Sequence, residues 1–150
     1  PLYRMSRRQK KTFTGLELLK SLNLFFASKI RDLEVNFDAN DNFKNYTFFT
    51  FESVIYSTFI NIINNALYWL IPVSNRKIYI EYSMDTEEIL VMNNGEKIAD
   101  KLLEDIFTLF FTRKSNGKNL NSIGLDIIAS NDKEYNKLNG ACFVIKPYKK

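Results

Sequence analysis

The sequence predicts an α+β fold, a two-layer sandwich with helices on one face of a mixed, mostly antiparallel sheet. Three observations carry that expectation. Helical and strand periodicities interleave along the chain instead of separating into blocks. Lys77-Ile78-Tyr79-Ile80-Glu81-Tyr82 alternates as a half-buried strand, and residues 88–92 pair with it across the turn Met84-Asp85-Thr86-Glu87, which makes an antiparallel hairpin. Residues 52–70 read as one long helix, apolar on nearly every side, which must be covered by something else.

The remaining elements follow in order. Thr14-Gly15-Leu16-Glu17 has capping-box spacing, and Leu16, Leu19, Leu22, Phe26 and Ile30 keep a helical period, so a single amphipathic helix is expected through Arg31. Residues 33–37 read as a short strand, 38–42 as a turn and 46–51 as an extended segment. The long helix stops before Pro72. Asn93-Asn94-Gly95 ends the second hairpin strand, residues 100–107 resume helical spacing, and 112–121 form a polar loop. A helix is expected over 124–131, and Asn139-Gly140 turns the chain into a last strand at 141–148.

Composition bounds the function. The chain has 150 residues, 45% hydrophobic and 15% aromatic, enough for one domain with a substantial core. That domain is expected over 14–150, preceded by a basic tail or linker over 1–13 that holds Arg4, Arg7, Arg8, Lys10 and Lys11. The net charge of +4 is modest and the basic run lacks interleaved aromatics, so nucleic-acid binding is the least favoured reading. No stretch reaches the roughly 18 apolar residues of a membrane span, and no secretory signal opens the chain. The single cysteine, Cys142, excludes an internal disulfide and suits a reducing, cytoplasmic setting. Pro1 in place of an initiator Met reads as a piece of a longer protein. The chain has no histidine, which excludes a Ser-His-Asp triad, a Cys-His pair and a His-ligated zinc within it. Any metal must then be a hard one held by oxygen, Mg²⁺ or Ca²⁺.

The long helix carries a polar seam. Asn61 and Asn65 stand four apart on one face, with Ser57, Asn64 and Tyr68 close to the same stripe. Amides on a buried helix need partners, either an internal hydrogen-bond network or a bound ligand.

Four segments in fixed order resemble the ATP-binding domain of the gyrase, heat-shock chaperone, histidine kinase and MutL superfamily, with its Bergerat-type fold, and are most similar to sensor histidine kinases. Asn61-x-x-x-Asn65-Ala66 is similar to the family's N box. Asn93-Asn94-Gly95-Glu96-Lys97-Ile98 stands in the place of the first glycine box, usually Asp-Asn-Gly-Pro-Gly-Ile. Phe107-Thr108-Leu109-Phe110-Phe111-Thr112-Arg113-Lys114 resembles the kinases' Phe-rich box, and Ser122-Ile123-Gly124-Leu125 the end of the second glycine box. The resemblance spans about residues 14–148.

The resemblance implies ATP and Mg²⁺ as cofactors. Asn65 would be the metal ligand and Asn61, one turn away, would reach the same ion or a bound water. The gyrase-like branch has a basic Glu at the position of Asn61; an amide cannot activate water, which points to a phosphotransferase and not to an efficient ATPase. Tyr68 and Trp69 would lie by the adenine, with the indole stacked on it, and Asn93, Gly95 and Ile98 would complete the base pocket. Arg113 and Lys114 would neutralise phosphate, Lys114 with a catalytic part, and Gly124 and Leu125 would open a helix whose amides face phosphate. The loop between them would be the lid. The phosphoacceptor would be a histidine on a dimerisation domain or partner outside this chain. The sequence departs from the family at Asn93, where the family has an Asp. It departs again at Lys97, and at Leu120, Asn121 and Ser122, where the family has glycines. An amide can accept through its oxygen and donate through its NH₂, which leaves purine choice open. A degenerate nucleotide-binding or protein-interaction module without catalysis is the alternative reading.

Overall fold

A computed structural model describes residues 9–103 and 125–147. The elements are β1 (Lys10–Thr14), α1 (Gly15–Phe25), α2 (Ala27–Asp32), β2 (Asn36–Ala39), α3 (Asp41–Asn45), β3 (Thr47–Phe51), α4 (Glu52–Trp69), β4 (Lys77–Ser83), β5 (Glu88–Asn93), a 3₁₀ turn (Asp100–Leu102), β6 (Leu125–Ala129) and β7 (Cys142–Pro147). Five strands form the main sheet in the order β2-β4-β5-β7-β6, and β1 pairs with β3 in a separate two-stranded ribbon. Among the described residues only the β2–β4 pair of the main sheet is parallel, so the sheet is mixed and mostly antiparallel as expected.

The two layers come directly from side-chain alternation. Ile78 and Ile80 of β4, Ile89 and Val91 of β5, and Phe143 and Ile145 of β7 point to the helix side, where they meet Leu18, Leu22, Ile55, Phe59, Ile62, Ile63 and Leu67 in one core. The opposite face is also apolar. Leu90, Met92, Cys142 and Val144 form a second cluster there, covered by Tyr135 and Leu138 from the connection between β6 and β7. The buried carboxylate of Glu88 closes that cover: Tyr135 Oη donates to Oε1 at 2.9 Å, and Lys146 Nζ lies 3.3 Å from Oε2. With both faces packed, all six residues of β5 are buried, as befits a central strand.

The hairpin β4–β5 and the helix α4 form where the pattern predicts them. Four local expectations are corrected. The first helix divides at Phe26, whose ring is buried while Phe25 is exposed. Asn23 weakens the helix there by donating its side-chain NH₂ to the carbonyl of Leu19 at 2.9 Å. The following strand starts at Asn36, not Leu33, because α2 ends in a Schellman turn. Glu34 takes φ 53°, its N–H reaches Arg31, and the N–H of Val35 reaches Ile30. The expected turn over 38–42 holds the end of β2 and the start of α3, because Asn40 caps that short helix by accepting from the N–H of Phe43 at 2.9 Å. Finally, residues 125–129 form strand β6, not a helix; the adjacent Ile127 and Ile128 point to opposite faces, one buried and one exposed.

The expected basic tail over 1–13 also contributes structure, since residues from Lys10 onward belong to β1 and pair with β3. The 3₁₀ turn lies inside the helix expected over 100–107; the rest of that helix, the loop over 112–121, Arg113, Lys114 and Gly124 fall outside the described residues.

Candidate functional site

The candidate site gathers at the carboxy-terminal end of α4. Asn61 and Asn65 are half-buried on one face of that helix. The stripe is split by its neighbours. Asn64 accepts a hydrogen bond from Lys29 Nζ at 3.2 Å and, with the exposed Tyr68, lines a shallow cleft against Asp32 and Leu33 at the end of α2. Trp69, half-buried, turns the other way and stacks on Phe143 of β7, with ring centroids 6.4 Å apart and planes 6° from parallel. Tyr68 and Trp69, both expected beside one base, thus serve different sides of the helix end.

Asn93 ends β5. By alternation it shares the helix face with Ile89 and Val91, and it is only 2% exposed. Its backbone N–H donates to Ala141 at 3.0 Å, and its side-chain Oδ1 accepts the N–H of Gly95 at 2.9 Å. That bond is an Asx turn, and it bends the chain straight onto α4. A Cβ at Gly95 would lie 3.1 Å from the carbonyl oxygen of Trp69, so the bend touches the helix end because residue 95 has no side chain. Asn94 faces away: its Oδ1 accepts from the N–H of Lys77 and its NH₂ donates to Asn75, both at 2.7 Å, tying the bend to the start of β4.

Two residues that sequence reasoning did not single out for the site hold it in place. Gly140 lies behind the bend, where a Cβ would stand 2.1 Å from the carbonyl oxygen of Asn93 and 2.7 Å from the nitrogen of Gly95. Asn131 donates to the carbonyl of Ile98 at 2.5 Å and to Asp100 Oδ1 at 2.8 Å, pinning the segment after the bend, and Ile98 is itself buried in the core. The Asn-Gly pair at 139–140 was readable as a turn, and Asn139 has φ 61°, but its contact with a strand end almost fifty residues earlier carries no local signal.

Trp69, Asn93 and Gly95 are therefore assembled at one helix end, with Ile98 buried in the core just after the bend and Asn65 and Asn61 one and two turns back along α4. Leu125 is the first residue of β6, opposite Pro147. Among the described residues no three carboxylate or cysteine side chains converge. The amides on α4 are neutral oxygen ligands, hard enough in kind for Mg²⁺.

No family model matches the chain, and no curated protein does. Solved structures match closely in shape. The catalytic domain of the histidine kinase ThkA, in a nucleotide-free form, matches with a TM-score of 0.71 at 27% identity, over 93% of this chain and 96% of that one. ThkA in complex with the response regulator protein TrrA matches at 26% identity and a TM-score of 0.66, over 93% of this chain and 42% of that one. The ATP-binding domain of PrrB from Mycobacterium tuberculosis shares the fold, with 15% identity, a TM-score of 0.68, and coverage of 95% of this chain and 99% of that one.

Proposed function

We propose, from a chain that has the fold of the catalytic ATP-binding domain of sensor histidine kinases, that it binds a magnesium purine nucleoside triphosphate, ATP by that resemblance, and passes the γ-phosphoryl to a histidine outside this chain. The observation that carries the proposal is the closure of the Asn93–Gly95 bend on the end of α4, which brings Asn93 and Gly95 against Trp69, on the helix that also bears the two amides.

In this reading Asn65 and Asn61 hold Mg²⁺, which when bound neutralises charge on the phosphates. Trp69 offers its indole to the base, and Asn93 reads the base edge. Asn61 has no basicity with which to activate water, so nucleotide bound here is held and not hydrolysed until an acceptor histidine arrives in line. Lys114, with Arg113, steadies the phosphates. The contribution of the chain is thus positioning and charge, the part that phosphoryl transfer demands most.

The test is a titration of the full chain with MgATP and with metal-free ATP, followed by the emission of Trp69, the one tryptophan, and by calorimetry. A saturable, Mg²⁺-dependent change is expected. Asn65→Ala should weaken it by on the order of 10- to 100-fold or more, since even outer partners of metal ligands cost that much. A second reading, an interaction module without nucleotide, is favoured by Lys97 and by Leu120, Asn121 and Ser122 standing where the family has glycines. Silence in emission and heat up to millimolar nucleotide would select it.

A further inference from the structure

Asn93 does more than replace a carboxylate by an amide, because its orientation is fixed. The N–H of Gly95 can only donate, and it lies 2.9 Å from Oδ1, so the oxygen of the side chain faces inward to the bend. Reversing the amide would set two donors against each other, which rules out the other rotamer of the group. The NH₂ is what remains on the far side. Among the described residues no acceptor meets it, and it is not among the sealed, unpartnered atoms of the interior, although the residue as a whole is 2% exposed. A buried donor that no acceptor among the described residues meets calls for an acceptor on the ligand that binds against it.

From this we infer that the base pocket selects 6-oxopurines, hypoxanthine or guanine, over adenine; the inference rests on the nucleotide site proposed above. An adenine would bring its 6-amino group, a donor, against the Asn93 NH₂. A 6-oxopurine brings a carbonyl to the same place. The difference between a made bond and two opposed donors at a buried site corresponds to about tenfold in affinity or more.

MgITP is the cleanest probe, since it differs from MgATP only at C6, where a carbonyl replaces the amino group, and at the adjoining N1, which then carries a proton; MgGTP adds the 2-amino group and separates that contribution. The full chain is titrated with all three by Trp69 emission and calorimetry. MgITP is expected to bind about tenfold more tightly than MgATP. Asn93→Asp should reverse the order, because one carboxylate oxygen can keep the Gly95 N–H while the other accepts from the adenine amino group. Equal affinities of the wild-type chain for MgITP and MgATP, or a preference for MgATP, overturn the inference and leave the nucleotide site standing, whatever the variant does. Binding of none of the three overturns both.

Discussion

At Gly140 an added Cβ would stand 2.1 Å from the carbonyl oxygen of Asn93, and at Gly15 it would stand 1.8 Å from the carbonyl oxygen of Phe43. Both positions meet backbone, which cannot swing aside as a long side chain can. Gly140→Ala and Gly15→Ala should each cost about 3 kcal/mol or more of stability, read as a lower urea midpoint. Their effects on the site should differ. Gly15 sits where α1 passes α3, far along the chain from the bend, so a folded Gly15→Ala protein keeps its nucleotide affinity. Gly140→Ala has to push Asn93 or Gly95 out of the Asx turn, and its affinity should fall as well. Equal nucleotide affinities in the two variants would show that the close approach at Gly140 serves stability alone.

Among the elements, the ends of α2 and α4 depend on one side chain from outside both. Arg76 donates from Nε to Leu70 and from Nη2 to Ile71, just past α4, and from Nη1 to Leu33 at the end of α2, at 2.7, 2.6 and 2.7 Å. Helix ends leave carbonyls without intrahelical partners, and a guanidinium fork satisfies three here at once. Arg76→Met should therefore destabilise by about 2–4 kcal/mol in denaturant unfolding, and Arg76→Lys should restore only part of that. The same scale shows what the sequence made legible. Residues 52–69 and the hairpin 77–93 announce themselves because long periods average over local exceptions. The split of the first helix, the Schellman turn with Glu34 at positive φ, and the cap at Asn40 each hinge on a single polar side chain or backbone angle that periodicity does not register. At 125–129 the run is too short for either period to prevail, and β-branched Ile127 and Ile128 settle it as a strand. In the site, Asn93, Gly95 and Trp69 were legible as a motif, whereas Gly140 and Asn131 act through close approach across the sheet and leave no mark on spacing.

For the molecule as a whole, stability comes from a sheet packed on both faces, and Cys142 lies at the heart of the outer one, fully buried. Burial, helped by the charge of Glu81, pushes its thiol up from 9.0 to about 12. A folded-state value above the unfolded one favours the protonated native form, so this contribution is fully present below about pH 9 and is lost as pH rises toward 12. Wild-type stability should therefore decline across that window, and Cys142→Ala should decline less steeply; parallel pH profiles in urea unfolding would refute the assignment. A thiol reagent should likewise label Cys142 only as fast as the protein unfolds. The ribbon of β1 and β3 has a different consequence. Lys10, where the described chain enters β1, lies opposite Phe51, the residue immediately before α4. Because the two strands run antiparallel, the rung at the entry of β1 is also the rung beside the first turn of the helix that bears Asn61 and Asn65, so a displacement of the chain at Lys10 is handed to that helix across a single strand pair.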